Sequence, residues 1–208
     1  AEMTEKYPDI LRVILSSVKD IAPELPEFLK LRFPLYIELS RTTSLPFINK
    51  YKTPQTMGKD RIAAVAGAQA LFPSSCVLVI DAGTAVTYDF INSAGEYMGG
   101  NISPGLSIRF RALNAFTGKL PLVEKREKHP FLATDTEEAI VSGVQNGLLF
   151  EMDAYIDEIR NRYRDAKIIL TGGDCNFFDK KLKNTIFAEP DLVLTGLNKI
   201  LEFNAQYF

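Results

Sequence analysis

Val77-Leu78-Val79-Ile80-Asp81-Ala82-Gly83-Thr84-Ala85-Val86-Thr87-Tyr88-Asp89 is the stretch that decides how this chain is built. Four successive apolar residues predict a buried strand, and a carboxylate followed by a Gly-Thr turn sits where that strand ends. Residues 86–91 alternate and predict the returning strand, so the order is strand, tight turn, strand. Dinucleotide folds and Walker-type NTPases place their glycine turn ahead of a helix, and neither of those glycine patterns occurs here. A glycine turn between strands can still offer backbone N–H groups and a Thr hydroxyl to phosphate oxygens. Asp81 would then hold a cation that the phosphates share. The same residues also suit a plain hairpin with a polar turn.

Outward from the hairpin the pattern is α/β. Upstream, residues 11–18 predict a buried strand, residues 23–31 a short helix with Pro23 in its first turn, and residues 35–39 a second strand. Residues 40–57 contain Thr42, Thr43, Pro46, Asn49 and Pro54 with no clean period, a loop long enough to carry function. Residues 59–71 are Ala-rich, with Ile62, Val65, Ala66, Gln69 and Ala70 at helical spacing, and predict a helix feeding the hairpin.

Downstream, residues 92–95 predict a turn and residues 96–98 the opening of a strand. Gly99-Gly100-Asn101-Ile102-Ser103-Pro104-Gly105 reads as a loop in which Ser103 caps a helix and Pro104 starts it, running to about Phe116. Thr134-Asp135-Thr136-Glu137-Glu138 holds overlapping capping boxes and opens the longest helix, to about Tyr163. Gly143 and Gly147 on one face of that helix predict close packing by another helix. Residues 167–170 predict a strand ending in Thr171-Gly172-Gly173-Asp174. A short helix, a strand at residues 191–194, a Thr195-Gly196 turn and a helix over residues 197–203 follow. The expected arrangement is two lobes, residues 1–71 and 72–208, with a cleft between them.

At 208 residues, 46% hydrophobic and 24% charged, the chain can bury a full core. A net charge of −2 gives no basic footprint for nucleic acid or an anionic membrane. No apolar run approaches the roughly 20 residues of a membrane span, and the first residues do not resemble a signal peptide. Cys76 and Cys175 lack zinc-site spacing, which suits a reduced, cytoplasmic setting, with a disulfide between them as the alternative. The first residue is Ala, which raises the possibility that the chain begins inside a longer one.

Three glycine turns, at residues 81–85, 99–105 and 171–174, are candidate phosphate or nucleotide contacts, because exposed N–H groups and helix N-termini favour anions. A fourth feature is Gly58-Lys59-Asp60-Arg61 at a helix start. A first-turn Asp is what the helix dipole favours in any helix. Here it could also accept a hydroxyl proton as that hydroxyl attacks a phosphoryl group, while Arg61 anchors an anionic substrate. His129, the one histidine, has no evident partner and is given no role.

On these motifs the chain resembles the type III pantothenate kinases of the acetate and sugar kinase/Hsp70/actin superfamily. Four segments match in order: Gly58-Lys59-Asp60-Arg61, Asp81-Ala82-Gly83-Thr84-Ala85, Gly99 to Gly105, and residues 136–143 of the long helix. The resemblance implies two ribonuclease H-like lobes with mixed sheets flanked by helices, and ATP-dependent phosphorylation of pantothenate. It implies Asp60 as catalytic base and Gly58, Lys59, Arg61, Tyr51, Gly99, Gly100 and Thr136 around pantothenate. Gly83, Thr84, Thr171, Gly172 and Gly173 would face ATP, and Asp81 would hold a monovalent cation, K⁺ or NH₄⁺, beside Mg²⁺. It further implies a homodimer closing the substrate pocket across its interface. The family's opening Asp-x-Gly-Asn-Thr hairpin has no counterpart here, so the first sheet is expected to lack its N-terminal hairpin. The alternative is a non-catalytic nucleotide-binding regulator of the same superfamily.

Overall fold

The computed structural model describes residues 6–206 apart from Pro8 and Val18. Val18, expected at the end of the first strand, therefore lies outside the described residues. The elements are β1 (Arg12–Leu15), α1 (Glu24–Arg32), β2 (Leu35–Glu38), β3 (Ile48–Asn49), α2 (Lys59–Leu71), β4 (Val77–Ala82), β5 (Ala85–Ile91) and β6 (Glu96–Pro104). They continue as α3 (Leu106–Phe116), α4 (Thr136–Arg162), β7 (Lys167–Thr171), α5 (Cys175–Phe178), β8 (Phe187–Ala188) and α6 (Leu192–Ala205).

β1 and β2 form a parallel pair, and the other strands form one sheet ordered β3-β6-β5-β4-β7-β8. β5 runs antiparallel to β4 and β6, whereas β7 lies parallel to β4 and β8 parallel to β7. Counted from β4, five strands stand in the order 3-2-1-4-5 with the second reversed, which is the ribonuclease H-like arrangement expected.

β4 is central and buried on both faces, so its residues read as a continuous apolar run with no alternation. Leu78 and Ile80 join Tyr88, Leu148, Met152, Ile156 and Ile168 under α4. Val77 and Val79 point the other way, into a second cluster with Ala64, Val65, Tyr97, Ile169, Leu192 and Ile200 under α2 and α6. Leu39, after β2, belongs to that second cluster, and Ile14 of β1 packs against it.

Four expectations change. Residues 191–194 are not a strand: Leu192 opens α6, and its buried Leu192, Gly196 and Ile200 recur at four-residue spacing. The strand of that region is β8, which ends before Glu189. An apolar run as short as Leu192-Val193-Leu194 does not distinguish the two by periodicity. Thr195-Gly196 is accordingly helical. A Cβ on Gly196 would fall 1.7 Å from the Ala63 carbonyl oxygen, and one on Gly67 would fall 2.5 Å from that of Leu192. The tight helix crossing is thus between α2 and α6. At Gly143 and Gly147, where such packing was expected, a Cβ would meet nothing within 4 Å among the described residues.

Residues 99–104 are strand, not loop. β6 continues through Pro104, where a missing N–H is tolerated at a strand end, and Gly105 takes the N-cap position expected of Ser103. The helix expected over residues 59–71 is α2, with the same bounds. α4 is capped by the Asp135 side chain, which accepts the Glu138 N–H at 2.9 Å. Both cysteines are free thiols.

Candidate active site

The site forms where the carboxyl ends of β4 and β7 meet the amino end of α2. Asp81 stands in register with Thr87 of β5 on one side and Thr171 of β7 on the other. Its strand turns at once, the Gly83 N–H bonding to the Ala85 carbonyl at 3.1 Å. The turn after β7 comes back over the same place: the Asp174 N–H donates to the Ala82 carbonyl at 2.8 Å. A third segment arrives from α3, whose N-cap Gly105 donates to the Thr84 carbonyl at 3.0 Å. A Cβ there would lie 2.2 Å from the Gly83 carbonyl oxygen. The other two glycine segments thus converge on Asp81-Ala82-Gly83-Thr84, the turn after β7 on Asp81 and Ala82 and Gly105 on Gly83 and Thr84.

The Asp81 carboxylate has no hydrogen-bond or ion-pair partner among the described residues. Burial, and then the charges of Asp60 and Asp89, push its carboxyl up to about 6. An unpaired, half-buried carboxylate beside two others is a place where a cation lowers the free energy of the ionised form.

Asp60 lies in the first turn of α2 and is exposed, its Oδ1 accepting the Arg61 N–H at 2.8 Å. Gly58, the N-cap, leaves that carboxylate room, since a Cβ would stand 2.3 Å from Asp60 Oδ1. Gly58 and Lys59 border a cleft of about 500 Å³ that reaches Ser17, Lys19, Glu38 and Met57 of the β1 and β2 side.

Arg61 turns inward, only 5% exposed. Its Nε donates to both oxygens of Asp89 at 3.0 and 3.1 Å, and its Nη2 to Asp89 Oδ1 at 2.7 Å and to the Tyr97 hydroxyl at 2.8 Å. Burial opposes the guanidinium charge, but the hydrogen bonds and attraction of Asp89 outweigh it and hold the pKa above its ordinary value. The Tyr51 ring lies 5.6 Å from the guanidinium carbon and 5.9 Å from the Tyr97 ring.

Two expected substrate glycines have different surroundings. Gly100 pairs with Asp89 on the α2 face of the sheet, whereas Gly99, at φ +125°, pairs with Phe90 next to a bulge. Thr136 opens α4 and is exposed; no hydrogen bond ties it to the other site residues within the described chain.

Asp89, Tyr97 and Thr87 were not anticipated. The signal was present: an Asp between Tyr88 and Phe90 in a buried strand requires a donor, and Arg61 lies on the apolar side of α2. His129 does have partners. Gln145 Nε2 meets its Nδ1 at 2.9 Å, and Nε2 meets Asn146 Oδ1 at 3.1 Å, so it fastens the segment before α4 to that helix.

A sequence profile of the type III pantothenate kinases matches residues 3–158. The chain is 48% identical over 200 residues to a type III pantothenate kinase of Bacteroides fragilis, covering 96% of this chain and 82% of that protein. It is 50% identical over 203 residues to one from Phocaeicola vulgatus, covering 97% and 83%. This chain belongs to the type III pantothenate kinase family. The family expected from the four ordered motifs is therefore the right one. Among solved structures, a conserved Baf family transcriptional activator from Campylobacter jejuni superposes with a TM-score of 0.64 at 21% identity, covering 99% of this chain and 88% of that one. That likeness concerns the fold.

Proposed function

We propose that this chain transfers the γ-phosphoryl group of ATP to the primary hydroxyl of pantothenate, giving 4'-phosphopantothenate, the first step towards coenzyme A. The reading rests on membership of the family, whose relatives are named for pantothenate kinase activity. The observation that carries it is the convergence of two glycine segments on the Asp81-Ala82-Gly83-Thr84 turn, within electrostatic reach of Asp60.

In this reading the backbone N–H groups of Thr84, Gly172 and Gly173, with the Thr84 hydroxyl, hold ATP, while the Gly83 N–H is spent on the turn and the buried Thr171 hydroxyl on the Pro190 carbonyl, so that both shape the site from beneath. Asp60 accepts the proton of the attacking hydroxyl, and its exposure at a helix start suits that task. Gly58, Lys59, Tyr51 and Arg61 seat pantothenate, with Gly100 beside Arg61, Gly99 at the sheet bulge and Thr136 contributed from α4. Catalysis is then chiefly positioning and charge neutralisation. Asp81 fits a monovalent cation, K⁺ or NH₄⁺, because its carboxylate is otherwise uncompensated. Mg²⁺ would be bound mainly through the phosphates. These cations would neutralise phosphate charge as it develops.

A homodimer through α4 is part of the proposal. Ala139, Gly143, Phe150 and Ala154 are exposed on one side of that helix, a stripe bare enough for a second helix. Free cysteines suit a cytoplasmic setting, and no helix among the described residues is long and apolar enough to cross a membrane. The regulator alternative is not favoured, since it has no need of Asp60 or Tyr51. The test is ADP release by the full-length protein with ATP, Mg²⁺ and K⁺ or NH₄⁺. Release stimulated by pantothenate supports the reading, and ATP binding without stimulation removes it.

A further inference from the structure

The Arg61–Asp89 pair is not explained by stability. Taking a carboxylate and a guanidinium out of water costs several kcal/mol per ion, and an apolar pair of the same volume often does as well or better. What such a pair does achieve is orientation. Asp89, fully buried, accepts from Arg61 Nε, Arg61 Nη2, the Tyr97 hydroxyl at 2.6 Å and the Thr87 hydroxyl at 3.0 Å. Tyr97, also fully buried, donates to Asp89 while accepting from Arg61 Nη2, so it closes a three-membered ring of contacts. Gly100 completes the device by having no side chain. A Cβ there would stand 2.6 Å from Asp89 Oδ1, 2.8 Å from Arg61 Nη2 and 2.1 Å from the Tyr88 carbonyl oxygen.

Two of the three guanidinium nitrogens are consumed by this clamp. Nη1 is engaged by neither Asp89 nor Tyr97, and the Tyr51 side chain, which stands over the guanidinium, also hydrogen-bonds to Arg61. Arg61 directly follows Asp60 in the first turn of α2. A guanidinium free to rotate would meet a neutral or an anionic group in many poses, whereas a clamped one presents one nitrogen in one direction.

We infer that Asp89, Tyr97 and Gly100 are positioning residues for Arg61, which fix its guanidinium so that the site selects a carboxylate-bearing alcohol over its neutral counterpart. This rests on the reading that Arg61 meets the pantothenate carboxylate. Gly100 then serves the pocket indirectly, by making room for the clamp.

The experiment compares kcat and KM for pantothenate and for its neutral primary amide in the full-length protein, with circular dichroism as the check of folding. Asp89→Asn keeps the side-chain shape and weakens the grip. The expected result is a pantothenate KM raised at least tenfold, a comparable loss of preference over the amide, and an unchanged KM for ATP. Tyr97→Phe removes one oxygen, is expected to fold, and should give a smaller loss of the same kind; it carries the test should Asp89→Asn fail to fold. Arg61→Gln separates the two layers. If Arg61→Gln abolishes the preference while folded Asp89→Asn and Tyr97→Phe retain it with wild-type KM, the clamp is only structural and the inference is overturned. If Arg61→Gln itself leaves the preference intact, Arg61 is not the carboxylate anchor and the underlying reading falls.

Discussion

Gly172 lies directly against Asp81: a Cβ on this glycine, held at φ +93°, would stand 2.3 Å from Asp81 Oδ1. The turn after β7 is thereby pressed onto the end of β4, and only glycine supplies both the backbone angle and the space. Gly172→Ala should cost about 1–3 kcal/mol from the backbone conformation alone. The displaced Asp81 carboxylate should also weaken ATP binding. Thermal melts and calorimetric titration with ATP check both, and an alanine variant with wild-type stability and affinity would show that the turn does not press on Asp81.

Asp81 also sets a pH dependence. Its folded-state pKa, raised to about 6, lies above the ordinary carboxylate value, so its contribution favours the fold below the unfolded pKa. That contribution is lost as pH rises from about 4 through 6. Asp81→Asn should therefore stabilise the protein without added ligands at pH 8, by on the order of 2–3 kcal/mol, with the gain shrinking by about pH 5. The same variant should lose phosphoryl transfer. Melting curves at the two pH values decide the first part: an equal shift at both would mean that the carboxylate is not destabilised by its surroundings.

Glycines at helix positions fall into two groups with opposite outcomes. Gly196→Ala would drive a methyl to 1.7 Å from the Ala63 carbonyl oxygen, and the α2–α6 crossing would have to open. A loss of about 3 kcal/mol or more is expected. Gly143→Ala meets open space and replaces a poor helix former, so the monomer should gain about 0.5–1 kcal/mol. Urea unfolding of both variants makes the comparison. If Gly196→Ala proves neutral, the two helices are not in contact there.

The exposed side of α4 yields a separate prediction. Phe150 is 59% exposed on the same stripe as Gly143. Should a second copy cover that stripe, Phe150→Asp should leave circular dichroism unchanged while halving the mass measured by light scattering. A wild type that is monomeric across the micromolar range would rule the interface out.

Much of this architecture is legible in the residues, and the failures have physical causes. α2 is legible because its Ala-rich period is long, and the β4–β5 hairpin because a buried run, a Gly-Thr turn and an alternating return are each distinctive. The Leu192-Val193-Leu194 run misleads because three apolar residues fit a strand or a helix equally, and only the burial of Gly196 and Ile200 settles it. Gly99 to Pro104 misleads because glycines and a proline signal a loop, whereas here Gly100 is a strand residue facing Asp89. The Arg61–Asp89 contact spans 28 positions, and no local pattern carries a pairing of that range. Asp60 and Asp81 are legible as candidates from their places at a helix start and a strand end. Their proximity emerges only when β4 and α2 pack.

Asp60→Asn in the full-length protein decides whether Asp60 is the base, with 4'-phosphopantothenate followed by phosphorus NMR and ATP affinity measured on the same samples. The rate of product formation is expected to fall by a factor of about 100 or more, with ATP affinity and melting temperature unchanged. Product formed at the wild-type rate by the folded variant would contradict that role.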